Sequence, residues 1–179
     1  MSRSVSTTSE DPVQLGPEAD HEAVARRILL DQLSGRARSR HELAQKLAAK
    51  NVPEELSVAL LDRFEEVGLI DDEAFARAWI ADRQARRGLS GRALAQELRR
   101  KGVPEEVLRE AVAEIEAEDE EAAARDLVRK KLRSMRGLDQ ATMTRRLAGM
   151  LARKGYSGGL VFAVIRDELG ADGETPPGP

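Results

Sequence analysis

Apolar residues return every three or four positions along most of this 179-residue chain, the spacing that places side chains on one face of an α-helix. In LSGRALAQELRR (89–100) Leu94 and Leu98 share one such face with Ala95 beside them, and the pattern stops at Gly102. No segment alternates with period two, no β-branched run occurs, and no Asn-Gly hairpin turn is present. The pattern predicts an all-α protein.

The helices are punctuated by one phrase written three times: KNVPEE (50–55), KGVPEE (101–106) and, in worn form, KGYSGG (154–159). Glycine just past a helix end accepts the left-handed conformation, and asparagine, as at Asn51, is its usual substitute. Pro53 and Pro104 then open a new helix, where a missing N–H costs nothing. The pairs Glu54–Glu55 and Glu105–Glu106 put negative charge in a first turn, where it complements the macrodipole. In the third copy Ser157 stands in the proline slot as an N-cap. Val52, Val103 and Tyr156, between stop and start, are expected to tuck under the turn.

Aligned at an offset of 51, Leu43 meets Leu94, Leu47 meets Leu98, Ile28 meets Trp79 and Leu29 meets Ile80. At an offset of 53, Leu94 meets Leu147 and Leu98 meets Leu151. The fold class expected is therefore three tandem three-helix, helix-turn-helix-like repeats at 21–70, 71–118 and 119–170. Units of this size are marginal alone and stack on their neighbours, which predicts an elongated, curved array. First helices fall near 20–34, 72–87 and 119–135, second helices near 39–50, 90–101 and 139–154, third helices near 53–67, 104–117 and 157–169. The stretch from Gly137 to Leu147 is four residues longer than that from Gly88 to Leu94, so the first helices of copies two and three could align one turn apart. The ends, 1–20 and 171–179, are rich in Ser, Thr, Pro and Gly and are expected to be disordered tails.

Composition narrows the chemistry. Without cysteine there is neither a disulfide framework nor a thiolate metal site, in agreement with a reducing compartment. No secretory leader and no membrane-spanning stretch is legible, so a cytoplasmic protein is expected, and it is read as a monomer. His21 and His41 are the only histidines. His41 opens HELAQ, which lacks the second ligand of a zinc helix because Gln45 stands one turn on. Asp71 and Asp72 precede the Phe75–Trp79 helix and read as cap and first turn rather than as an acid–base pair. Phe75 and Trp79, one turn apart, read as core. The run EIEAEDEEAA (114–123) reads as a solvated junction between copies two and three, and Gly158–Gly159 cradles no phosphate. No catalytic residue, cofactor or metal is expected, and the protein is not read as an enzyme.

What recurs is positive charge. The net charge is −3, but the two ends hold six acids against Arg3, leaving 28 basic and 26 acidic residues between them. First helices end in Arg36, Arg38 and Arg40; in Arg83, Arg86 and Arg87; and in Lys130, Lys131, Arg133 and Arg136. Second helices end in Lys46 and Lys50; in Arg99, Arg100 and Lys101; and in Arg153 and Lys154. Helix C-termini favour cations, yet this exceeds what capping needs and predicts a basic stripe for an acidic or polymeric partner. Specific DNA reading is disfavoured by five aromatics, most at positions that read as buried, and by a core that is only mildly basic. Weak, salt-sensitive DNA contact fits.

DDEAFARAWIADRQARRGLSGRALAQELRRKGVPEE (71–106) is similar to the central signature of the RecX family: an acidic turn, an aromatic–aromatic helix, an R…RG turn and an L..KG corner in succession. RSRHELAQKLAAKNVPEELSVALLDRFEEVGLI and RKKL…RLAGMLARKGYS resemble the family's flanking repeats, and the likeness covers about 22–169. Asn51 for the usual Gly, and Pro53 and Pro104 for the usual acidic cap, depart from the pattern while keeping the turn chemistry. The third repeat matches least well. The resemblance implies a regulator of the RecA recombinase that lies in the groove, or at the end, of the RecA filament on single-stranded DNA. It implies limits on filament growth, strand exchange, ATPase and SOS co-protease activity. It carries the family's basic turn and corner to Arg83, Arg87 and Lys101, with Arg86, Arg99 and Arg100 beside them; Lys130, Lys131, Arg153 and Lys154 extend the set by repeat. A DNA-binding regulator of tandem helix-turn-helix units is the alternative.

Overall fold

The computed structural model describes residues 17–171. Within them the chain runs through α1 (Pro17–Gly35), α2 (Arg40–Ala48), α3 (Glu54–Glu66), α4 (Asp72–Arg87), α5 (Gly91–Arg100), α6 (Glu105–Ala113), α7 (Ala117–Leu132), α8 (Gln140–Arg153) and α9 (Gly158–Ala171), with no strand among the described residues. The all-α, three-by-three organisation is as the periodicity predicts. The helix at Pro17 begins three residues ahead of the expected start, within the stretch read as tail; the rest of both expected tails lies outside the described residues.

Each unit has its own core. The second helices contribute Leu43 and Leu47, Leu94 and Leu98, Leu147 and Leu151, all fully buried. The first helices supply a matching pair one turn apart: Ala25 and Leu29, Ala76 and Ile80, Ala124 and Val128. That pairing fixes the alignment the sequence left open. The four-residue surplus is one additional turn at the start of α8, which has 14 residues where α5 has 10. Met135, in the turn after α7, is buried in the third core, a filling position that a helical period does not reach. Every helix pair that packs along its length belongs to one unit, and the three cores stay separate.

The corners have the double closure of a Schellman motif. Val52 N–H donates to Leu47 carbonyl at 3.1 Å and Asn51 N–H to Ala48 at 2.9 Å. Val103 and Gly102 repeat this with Leu98 and Arg99, as do Tyr156 and Gly155 with Leu151 and Ala152. The turn residue has φ of 57° at Asn51, 71° at Gly102 and 91° at Gly155. Ser39, Asp71, Ser90 and Asp139 cap their helices through side-chain oxygens, Ser39 with a reciprocal bond from its own N–H to Glu42.

Candidate partner-binding surface

The units meet where the corner of one touches the second-helix N-cap of the unit before it. At the first junction the buried Ser39 hydroxyl donates to the Lys101 carbonyl at 2.5 Å. Lys101 Nζ reaches the Glu42 carboxylate at 2.7 Å, and Asp72 accepts the Arg40 backbone N–H at 2.8 Å. Burial opposes ionisation of Glu42, but the hydrogen bond and charge of Lys101 prevail and hold its carboxyl below the usual value. Burial raises that of Asp72 despite the Arg40 N–H. At the second junction Ser90 N–H donates to the Lys154 carbonyl at 3.0 Å and Lys154 Nζ caps the Arg87 carbonyl. Tyr156 hydroxyl donates to the Gly88 carbonyl at 3.2 Å, and Glu120 accepts the Gly91 N–H at 2.8 Å. Burial, with a further push from Glu120, raises the Tyr156 pKa to about 12. Burial and then Arg87 lower that of Lys154.

Trp79 is only partly buried. The expectation of a plain core residue needs correction: it packs on the second core from the edge, with Phe75 inside. The Arg83 guanidinium lies 4.1 Å and Lys101 Nζ 4.5 Å from the Trp79 ring centre. Glu97 accepts from Trp79 Nε1 at 3.0 Å, Arg83 Nε at 3.1 Å and Arg87 at 3.0 Å. Aromatic ring, cations and carboxylate thus form one network across α4 and α5, which alternating cations with acids on neighbouring helix faces allow. Within the acidic run 114–123, read as solvated, Glu120 is instead half-buried and bonded to α5.

The ten predicted contact residues fall into groups. Arg86, Arg87, Lys130, Lys131 and Lys154 line one open cleft of about 620 Å³ between α4 and α7, with Asp126 the one acid there. Arg83, Arg100 and Lys101 border a shallower depression of about 260 Å³ around Trp79 and Glu97. Arg153 lines a third, with Arg92. Arg99 stands apart, paired with Glu105 at 2.6 Å. Several of these cations already have partners inside the chain: Arg86 with Asp82 at 2.6 Å, Arg87 with Glu97, Lys101 with Glu42. Lys130 and Lys131 are exposed and make no ion pair among the described residues. Serines 39 and 90 were missed as junction residues; their recurrence before the second helices of the first two units, 51 positions apart, was the available signal.

Separate three-helix units joined by small polar junctions, with cationic clefts beside them, define a tandem helical-repeat protein. Among the described residues no helix is long and apolar enough to cross a membrane. Three family models match in tandem, described as the first, second and third three-helix domains of RecX, over residues 25–64, 71–112 and 118–165. A regulatory protein RecX from Streptomyces coelicolor is 50% identical over 168 residues, 93% of this chain and 89% of the relative. One from Thermobifida fusca is 48% identical over 151 residues, 84% and 82% of the two chains. A crystal structure of regulatory protein RecX superposes with a TM-score of 0.74 at 27% identity, covering 84% of this chain and 75% of that one. The Lactobacillus salivarius RecX structure, at 17% identity and TM-score 0.76, covering 83% and 97%, shares the fold. The chain belongs to the RecX family, a family of regulatory proteins.

Proposed function

We propose that this chain is a negative regulator of the RecA recombinase, binding in the groove or at the end of the RecA filament on single-stranded DNA. In that position it limits filament growth, strand exchange, ATP hydrolysis and co-protease activity. The observation that carries the reading is the clustering of Arg86, Arg87, Lys130, Lys131 and Lys154 from two consecutive units around one cleft. Charge spread over repeated units suits a helical polymer, since successive weak contacts add through effective concentration. Direct DNA contact is secondary and weak: the Trp79 ring is engaged by cations and is not a free platform for base stacking.

The test compares binding to duplex DNA, to bare single strands and to RecA-coated single strands at near-physiological salt. Clear preference for the coated strand is expected, together with slowed filament extension. Equal or tighter binding to duplex DNA would return the tandem helix-turn-helix DNA-binding reading. Charge reversal belongs at Lys130 and Lys131, because at Arg83 it would set a carboxylate against Glu97 and disturb the fold.

A further inference from the structure

The 620 Å³ cleft does not end at its cations. It continues into a second cavity of about 400 Å³, and Gln84 and Ala123 line both. The combined groove between α4 and α7 is therefore polarised. One half is floored by Ile80, Ala81 and Ile115 and edged by Glu114 and Asp119. The other half has Leu127 and Met150 in its floor and five cations at its rim. Arg77, the cation of the acidic half, is tied to Glu73 and Glu114 at 3.3 and 3.5 Å.

We infer that this groove is a docking site for a short peptide segment of a protein partner, apolar along its middle and carrying carboxylates at the end that meets Lys130 and Lys131. The inference rests on the function proposed above only for which protein supplies the segment, namely the recombinase coat of the strand. Charge complementarity selects peptide over nucleic acid. A sugar–phosphate chain carries a negative charge at every step and would be driven out of the half that Glu114 and Asp119 edge. No aromatic side chain lines either cavity, so no base could stack there. Apolar side chains over Ile80, Ile115 and Leu127 would remove those surfaces from water, while the cationic rim fixes direction and register.

Two variants with opposite charge changes distinguish the cases, both at exposed positions. Lys130→Glu with Lys131→Glu inverts the basic rim; Ala81→Arg fills the apolar half and adds a cation. Anisotropy is measured with RecA-coated strands, bare single strands and a fluorescein-labelled peptide of leucine and glutamate pairs, with circular dichroism verifying helicity. The double reversal is expected to weaken coated-strand and peptide binding by about tenfold or more, and bare-strand binding by only about twofold. Ala81→Arg is expected to weaken coated-strand and peptide binding too, while bare-strand affinity holds or rises. The inference is overturned if the reversal weakens both kinds of strand alike and Ala81→Arg tightens both, the behaviour of a phosphate track. It is overturned equally if all three proteins bind the peptide and the coated strand alike. Variant-sensitive peptide binding without any preference for coated strands would instead refute the recombinase as partner and leave the groove's chemistry standing.

Discussion

The two junctions are built from the same parts and held by different forces. Between the first and second units a side-chain ion pair is central: Lys101 with Glu42, beside the Arg40 N–H on the Asp72 carboxylate and the Ser39 hydroxyl on the Lys101 carbonyl. Between the second and third, main-chain groups and an aromatic do most of it: Ser90 N–H on the Lys154 carbonyl, Lys154 and Tyr156 on the carbonyls of Arg87 and Gly88, and Leu127 packed over Gly88. The same Ser–Lys–Gly constellation thus yields one joint closed by a side-chain ion pair and another closed by packing and by hydrogen bonds to main-chain groups, in which Lys154 and Glu120 meet backbone rather than each other. Charge-based contacts weaken with acid and salt, whereas neutral buried ones resist both.

Steric changes at the corners should have the largest effect. A Cβ on Gly155 would stand 2.6 Å from Ser90 Oγ and 2.8 Å from Ala93 Cβ; on Gly102 it would stand 2.2 Å from His41 Cγ. With left-handed strain added, Gly155→Ala and Gly102→Ala should each cost about 3 kcal/mol in urea unfolding. Asn51 has the same handedness without a unit before it, so Asn51→Ala should cost about 1 kcal/mol. Equal costs at all three corners would show that backbone strain alone, not the joint, demands glycine.

Breaking single ties should separate the joints. Glu42→Gln removes the charge that opposes Lys101, whose side chain is 18% exposed, and should cost about 1–2 kcal/mol while changing the distance between the first two units. Tyr156→Phe should cost about 1 kcal/mol and leave that distance unchanged. Fluorescence energy transfer between introduced cysteines measures both, since the chain has none of its own.

pH should act on the joints from opposite sides. The Glu42 pKa lies below its ordinary 4.5, so its stabilisation is present above that value and disappears as pH falls through the folded-state pKa. Tyr156 is raised from 10.0 to about 12, so its contribution is intact below pH 10 and declines as pH climbs from there through about 12. Asp72, raised by burial, gains relative stability on protonation and partly offsets the acid effect at the first joint. Energy-transfer pairs across each joint should therefore show the first loosening in acid and the second in alkali. The smallest effect is expected from 1 M salt, which screens beyond about 3 Å: a slight opening at the first joint, where the two side chains of an ion pair meet, and a smaller one at the second.

Much of this was legible in the chain. The second-helix leucine pairs, the corner phrase and the Asp71 cap follow from local rules, because a helix buries one face and terminates by satisfying its own backbone groups. The role of the cations was not legible in the same way. A helix-end arginine looks alike whether it faces solvent, as Lys130 and Lys131 do among the lysines, or stacks on Trp79 and bonds Glu97, as Arg83 does. Tyr156 was readable as a buried ring but not as a donor to Gly88, 68 positions away.

The sequence by itself determined the helices, their caps, the threefold repetition and the family, since all of these depend on residues within one or two helical turns or on patterns copied along the chain. Only the tertiary structure decided which corners need glycine, which basic groups are consumed at the joints, and that two units share a polarised groove. Those outcomes depend on where separately folded units place their surfaces against each other, and the packing of side chains fifty or more positions apart leaves no periodic trace.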